Sequence, residues 1–104
     1  MMKIRIKFRK YGTMKFIGHL DVMRSFQKAI RRSEVNIRYS EGFSPHQIMS
    51  FAAPLGVGIT SKGEYVDIEV LDTENSKKMI DRLNAVMSEG FEILEYKLLP
   101  DDAA

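Results

Sequence analysis

The chain has 104 residues, with 44% hydrophobic residues, 29% charged residues and no cysteine. A chain of this length can build one core, so we predict one domain over residues 1–99 and a frayed C-terminal tail over residues 100–104. The lack of cysteine excludes disulfides, thiolate metal sites and cysteine nucleophiles, and it suits a reducing compartment. The sequence shows neither a signal-peptide pattern nor an apolar run of membrane-spanning length, so we expect a cytoplasmic protein.

Charge is distributed unevenly along the chain. Residues 1–52 contain 11 Lys and Arg against 3 Asp and Glu, a net charge of +8, whereas residues 53–104 contain 5 against 11, a net charge of −6. This asymmetry is typical of a protein with a nucleic-acid-binding face. The alternative is that the two halves neutralise each other across one sheet.

The first half of the chain predicts a strand, a helix and a second strand. Charged and apolar residues alternate over residues 3–11, which predicts a strand with one buried face. A helix is predicted from about His19 to Ser33, and residues 35–39 alternate again as a second strand. The apolar residues of the helix fall on one side and form its predicted core face: Val22, Met23, Phe26, Ala29 and Ile30.

The second half repeats this order after a long loop. Residues 41–63 are rich in Gly, Pro and Ser, and within them residues 48–60 are a candidate extended segment. A third strand is predicted over residues 64–71. A second helix follows from Glu74 to about Ser88, capped by Asp72 or Thr73 and ended by Gly90. Residues 91–99 form the last strand.

This order of elements predicts an α+β, ferredoxin-like βαββαβ sandwich. Two right-handed crossovers place both helices on one face of a four-stranded antiparallel sheet. The first and third strands are then central neighbours, so opposite charges on their outward faces can neutralise each other.

The first helix also predicts a ridge of positive charge. Arg24, Lys28 and Arg31 follow at i, i+4 and i+7 on the side opposite the core, with Arg32 beside them. Guanidinium and ammonium groups in such a row can neutralise phosphates. The alternative is an ordinary solvated helix face.

Both histidines lie near this helix in the sequence. His19 is at the predicted helix N-terminus, where it could act as a general acid or base or contact a phosphate. His46 lies in the long loop with Phe43, an aromatic residue that could stack on a base or anchor the loop to the core. The two histidines could form an acid–base pair for RNA cleavage, or bind a metal together with Asp21. We assign no metal and no cofactor.

Several motifs occur in a fixed order along the chain. They are Gly-His-Leu-Asp-x-x-Arg at residues 18–24, Ala-x-Arg-Arg at 29–32, Tyr-Ser-Glu-Gly-Phe-Ser-Pro-His at 39–46, Ser-Phe at 50–51, Pro-Leu-Gly-Val-Gly at 54–58 and Gly-Glu-Tyr at 63–65. Together, over residues 4–99, they resemble a bacterial domain family of unknown function that is linked to radical-SAM enzymes. Two positions differ from the family pattern, because Gly18 stands in place of a Ser and Ser44 in place of an Asn.

The resemblance implies a radical-SAM partner enzyme, fused to the domain or separate, and a longer domain of which this chain is the N-terminal half. Since the chain has no cysteine, it cannot itself hold the iron–sulfur cluster of such an enzyme. We therefore predict a non-catalytic accessory domain that binds tRNA or rRNA for the partner. The predicted RNA-binding residues are Arg24, Lys28, Arg31, Arg32, His19, Phe43 and His46.

Two other hypotheses remain. The chain could be a metal-independent RNA endonuclease, similar to CRISPR repeat-processing enzymes, with His19 or His46 as general acid or base. It could also be a protein-interaction module that docks on the radical-SAM enzyme. The sequence leaves the oligomeric state open and indicates no contact with a membrane.

Overall fold

The computed structural model of the chain describes residues 2–12, 18–42, 47–52 and 64–99, apart from the side chains of His19 and Ala52. In chain order its elements are β1 (Met2–Lys10), α1 (His19–Ser33), β2 (Met49–Ala52), β3 (Glu64–Val70), α2 (Ser76–Val86) and β4 (Phe91–Leu99). The strands lie in the order β2-β3-β1-β4, and all neighbouring strands are antiparallel. The predicted α+β, ferredoxin-like architecture is confirmed, with β1 and β3 as central neighbours.

The core lies between one face of the sheet and the two helices. Alternation along β1 and β3 places the apolar residues of both strands on this face, where Ile4, Ile6, Val66 and Val70 are fully buried. Phe26 of α1 fills the centre of the core, with its ring centroid 4.5 Å from that of Phe8 and 6.1 Å from that of Phe91. The core therefore fixes which side of α1 faces the sheet and which side faces outward.

The predicted strand over residues 35–39 is realised only in part, through a 2.8 Å hydrogen bond from the N–H of Arg38 to the carbonyl of Glu69 and a 2.9 Å hydrogen bond from the N–H of Leu71 to the carbonyl of Asn36. In this segment Ile37 forms only an isolated antiparallel bridge with Val70, at the end of β3. The edge position beside the rest of β3 belongs to β2, which lies within the candidate extended segment 48–60. Both segments have strand-like sequences, and the long-range register against β3 decides between them.

The chain leaves this sheet edge and then returns to it. Because Ile37 faces Val70 and Met49 faces Ile68, Met49 takes the place that Tyr39 would occupy in an uninterrupted strand, a difference of 49 − 39 = 10 residues. We call residues 39–48 the edge excursion. Its base is closed by a bridge between residues 39 and 47 and by a 2.9 Å hydrogen bond from the N–H of residue 48 to the carbonyl of residue 38. Residues 43–46 lie outside the described part of the chain.

The ends of α2 also differ from the prediction. The helix begins after Asn75, whose side chain accepts a 2.9 Å hydrogen bond from the N–H of Lys78, and not after Asp72 or Thr73. The Thr73 hydroxyl instead lies 2.6 Å from the phenol oxygen of Tyr96. At the other end α2 stops at Val86, and Gly90 takes its positive φ of 99° in the turn before β4.

The ends of α1 agree with the predicted boundaries. Gly18 is the N-cap residue and has no side chain to cap the helix. The helix closes at Glu34, which has a left-handed φ of 59°. In the described part of the chain, no helix is long and apolar enough to cross a membrane.

Candidate nucleic-acid interface

The outward face of β1 carries basic residues that are largely paired across the sheet. Arg5 lies opposite Asp67 of β3 and donates two hydrogen bonds to its carboxylate, at 2.9 and 3.1 Å. These hydrogen bonds and the adjacent negative charge raise the pKa of Arg5. Arg5 is therefore already matched with an anion of its own fold.

Three further ion pairs neutralise cations of the first half of the chain, two of them on this face and one, that of Lys10, at the end of the face that carries the core. Arg9 pairs with Glu92 of β4, Lys10 pairs with Glu64 at 3.2 Å, and Arg38 pairs with Glu69 at 3.3 Å. Each joins a basic residue of the first half of the chain to an acidic residue of the second half. The neutralisation across one sheet that the sequence allowed is thus present on this face, and it accounts for part of the charge asymmetry.

The outward face of α1 carries a second set of cations. Arg24, Lys28, Arg31 and Arg32 form what we call the basic ridge, and all four side chains are exposed. Among the residues that the structure describes, no carboxylate lies within ion-pair distance of any of the four. The ridge exists because α1 buries the opposite side against the sheet, so residues at helical spacing point together into solvent.

A shallow groove of about 420 Å³ lies along the basic ridge. Three ridge residues line it, together with Asp21, Ser25 and Gln27 of the same helix and Ser88 from the segment after α2. The lining residues carry three positive charges against one negative charge, so the groove favours an anionic ligand. Sequence analysis did not find Ser88, because only the packing of α2 beside α1 brings it to the groove.

The edge excursion is attached to the same helix. The side-chain amide of Gln47 donates a 3.3 Å hydrogen bond to the main-chain carbonyl of Gln27, and Gln47 is only 5% exposed. Its Oε1 atom is buried and has no hydrogen-bond partner within the described ranges. Since Gln47 directly follows His46, this bond attaches the base of the excursion to the middle of the helix that carries the ridge.

For three of the predicted site residues, the structure does not describe the side chain. His19 is the first residue of α1, but its side chain lies outside the described part of the chain, as do Phe43 and His46. Whether the two histidines meet therefore stays a prediction. Within the described residues, no group of three or more His, Asp or Glu side chains is arranged to hold a metal ion.

Comparison with known families places this chain in a bacterial family. Its sequence matches the family described as "Uncharacterized protein conserved in bacteria (DUF2344)" over residues 3–104, and the chain belongs to that family. No similar protein was found among curated proteins or among solved structures.

Proposed function

We propose that this member of the family is an accessory domain that binds structured RNA, tRNA or rRNA, through the basic ridge of α1. The observation that carries the proposal is the contrast between two sets of cations. Arg5, Arg9 and Lys10, three of the five cations of β1, are paired with carboxylates of the fold, whereas none of the four ridge cations has such a partner in the described residues. Unpaired cations gain most from phosphates, because each contact releases counterions from the RNA.

The spacing of the ridge suits one stretch of a nucleic-acid backbone. With a rise of about 1.5 Å per helical residue, Arg24 and Lys28 are separated by about 6 Å along the helix axis, and Lys28 and Arg31 by about 4.5 Å. Contacts of this kind fix the position of the RNA but do not read its sequence. Recognition through the ridge therefore depends on the shape of a folded RNA.

The groove and the edge excursion add groups that could hold a nucleotide next to the phosphates. Ser25 and Ser88 offer hydroxyls to phosphate or ribose oxygens. We assign His19, Phe43 and His46 to the same interface, with Phe43 stacking on a base, because the excursion that contains the last two is bonded to α1.

The radical-SAM enzyme is the proposed partner, on the ground of the motif resemblance. In this proposal the domain holds the RNA while the partner carries out the modification. The domain itself then needs no catalytic group, no metal and no cofactor.

The test is the binding of tRNA over a salt series by the wild-type chain and by the triple variant R24A/K28A/R31A. The matched control is K3A/K7A/K77A, which removes the same charge from three lysines that form no ion pair within the described ranges. Loss of three phosphate contacts should reduce the slope of log affinity against log salt by about 2–3, with little change in the control.

Other outcomes would point to the other hypotheses. Equal losses in the two triple variants would mean that the ridge is not a distinct site. No binding at low salt would contradict the proposal and favour docking on the radical-SAM enzyme. Cleavage of the RNA by the wild-type chain, abolished in H19A/H46A, would favour the endonuclease.

A further inference from the structure

The outer edge of β4 has no strand partner in the described part of the chain. This strand has nine residues and pairs with β1 along one side only, as the edge strand of the sheet. The uncovered side of such a strand presents backbone N–H and C=O groups that can pair with another strand.

One end of this edge is closed by α2. The side chain of Asn84 accepts a 2.8 Å hydrogen bond from the N–H of Ile93 and donates a 3.2 Å hydrogen bond to its carbonyl. The amide thus replaces a neighbouring strand at this residue. It also shows that the backbone groups of Ile93 point away from β1.

At the other end of the edge, no strand or side chain of the described residues bonds the outer side of β4. A bulge follows Ile93, and the register then continues with Tyr96 opposite Ile6 and Leu98 opposite Ile4. These pairs are equivalent to the pair between Ile93 and Phe8, because alternate residues of β1 take part in all three. The N–H and C=O groups of Tyr96 and Leu98 therefore also point outward. Consistent with an open edge, the side chain of Leu98 is 57% exposed.

The open part of the edge is complementary to itself. In an antiparallel pair of two β4 strands centred on Tyr96, Glu95 of one copy lies opposite Lys97 of the other, and Leu94 lies opposite Leu98. The charged residues face the helix-free side of the sheet, since they oppose Lys7 and Arg5 of β1. Within one chain the Glu95 and Lys97 side chains are 3.7 Å apart, and both are exposed enough to exchange partners.

We propose that the protein forms a symmetric dimer in which two β4 strands pair through residues 94–98. The two four-stranded sheets then become one sheet of eight strands. Two Glu95–Lys97 pairs lie on its helix-free face, and Leu98 of each copy, which is opposite Ile4 of its own β1, lies on the other. The ladder is short, because Asn84 closes one end and Pro100, which has no amide N–H, follows the other. The dimer is therefore weak and depends on concentration.

Charge reversal tests this register directly. Sedimentation equilibrium, from low micromolar to near-millimolar chain, would compare the wild type with E95K, K97E and the double variant E95K/K97E. Each single change places like charges opposite each other twice in the dimer, so it should weaken dimerisation about tenfold or more. The double variant restores opposite charges and should recover the wild-type dissociation constant. Thermal melting of all four proteins controls for folding.

Hydrogen exchange gives a second readout that does not depend on charge. The amides of Tyr96 and Leu98 should exchange more slowly as the concentration rises, whereas the amide of Ile93, already bonded to Asn84, should not change. A protein that stays monomeric at every concentration would overturn the proposal, even if this edge bound another protein. A dimer unaffected by K97E, or not restored by the double change, would overturn it as well. R24A/K28A/R31A should dimerise normally, which separates this result from the fate of the RNA proposal.

Discussion

Glu34 closes α1 in a conformation that is costly for a residue with a side chain. Its φ of 59° and ψ of 28° lie in the left-handed region, and its N–H lies 3.4 Å from the carbonyl of Arg31. This conformation destabilises the folded state by about 1–2 kcal/mol for a residue with a Cβ atom, and glycine avoids this strain. Glycine also lowers stability by about 0.5–1 kcal/mol, because it increases the backbone freedom of the unfolded chain. We therefore predict that the backbone effect of E34G alone raises the free energy of unfolding by about 0.5–1 kcal/mol.

A second effect must be separated from the backbone effect. The Glu34 carboxylate lies at the negative end of the α1 dipole, and its removal alone can stabilise by about 0.3–1 kcal/mol. E34A removes the charge and keeps Cβ, whereas E34N removes the charge and offers a side chain that tolerates the left-handed region. We expect stability to increase in the order Ala, Asn, Gly.

Urea unfolding of the wild type and the three variants would measure these differences, with unchanged m-values as the condition for comparing midpoints. The backbone effect of about 0.5–1 kcal/mol corresponds to an increase in Tm of about 2–8 °C for a domain of this size. If E34A were as stable as E34G, the gain would come from charge and the argument from φ would be refuted. If E34G were the least stable, the whole account of this helix end would be wrong.

Two further predictions concern the first turn of α1 and the phenol of Tyr96. G18S should stabilise the protein by about 0.3 kcal/mol relative to wild type and by more relative to G18A, because a serine restores the missing cap. The backbone of Gly18 is extended, and nothing lies within 4 Å of an added Cβ, so both side chains fit. Equal melting temperatures for the serine and alanine variants would contradict this prediction. Burial raises the pKa of Tyr96, an effect that the Thr73 hydrogen bond and the Arg82 charge oppose. The folded state thus favours the neutral phenol, so this contribution to stability is complete below the ordinary tyrosine pKa of about 10 and is lost as the pH rises above it. Melting curves of Y96F should show a smaller alkaline loss than those of wild type, together with lower stability at neutral pH from the lost hydrogen bond to Thr73.

The elements predicted best are those whose patterns are local. The period-two alternation of β1 and the helical period of α1 are each written within about 15 residues, and the structure places both elements almost at the predicted boundaries. Of the predicted α1 core residues, Phe26 and Ile30 are fully buried, and only Met23 remains half-buried.

The elements predicted worst depend on partners far away in the sequence. Asp72, Thr73 and Asn75 are all good helix caps, but Asp72 accepts a hydrogen bond from Asn36 and Thr73 bonds to Tyr96, while Asn75 caps the helix. The choice of residues 49–52 over residues 35–39 for the edge strand likewise depends on their register against β3.

In the candidate site, too, the features set by local sequence could be predicted and those set by distant contacts could not. The outward direction of Arg24, Lys28 and Arg31 follows from helical periodicity, and the structure describes these side chains as exposed. Their role in binding RNA stays a prediction, as do those of His19, Phe43 and His46. The bond between Gln47 and Gln27 could not have been foreseen, because it depends on the return of the chain to the sheet edge.

The return of the chain to the sheet edge at Met49 has a consequence for changes of length in the edge excursion. The sheet resumes at Met49 as if residues 39–48 had not intervened, so the β3 register does not depend on how long that stretch is. Insertions, deletions or exchanged segments there would leave the strand pairing of the domain unaltered, provided that Gln47 keeps its contact with α1. The length of the edge excursion and the register of the sheet are thus independent of each other, so a change in the one does not require a change in the other.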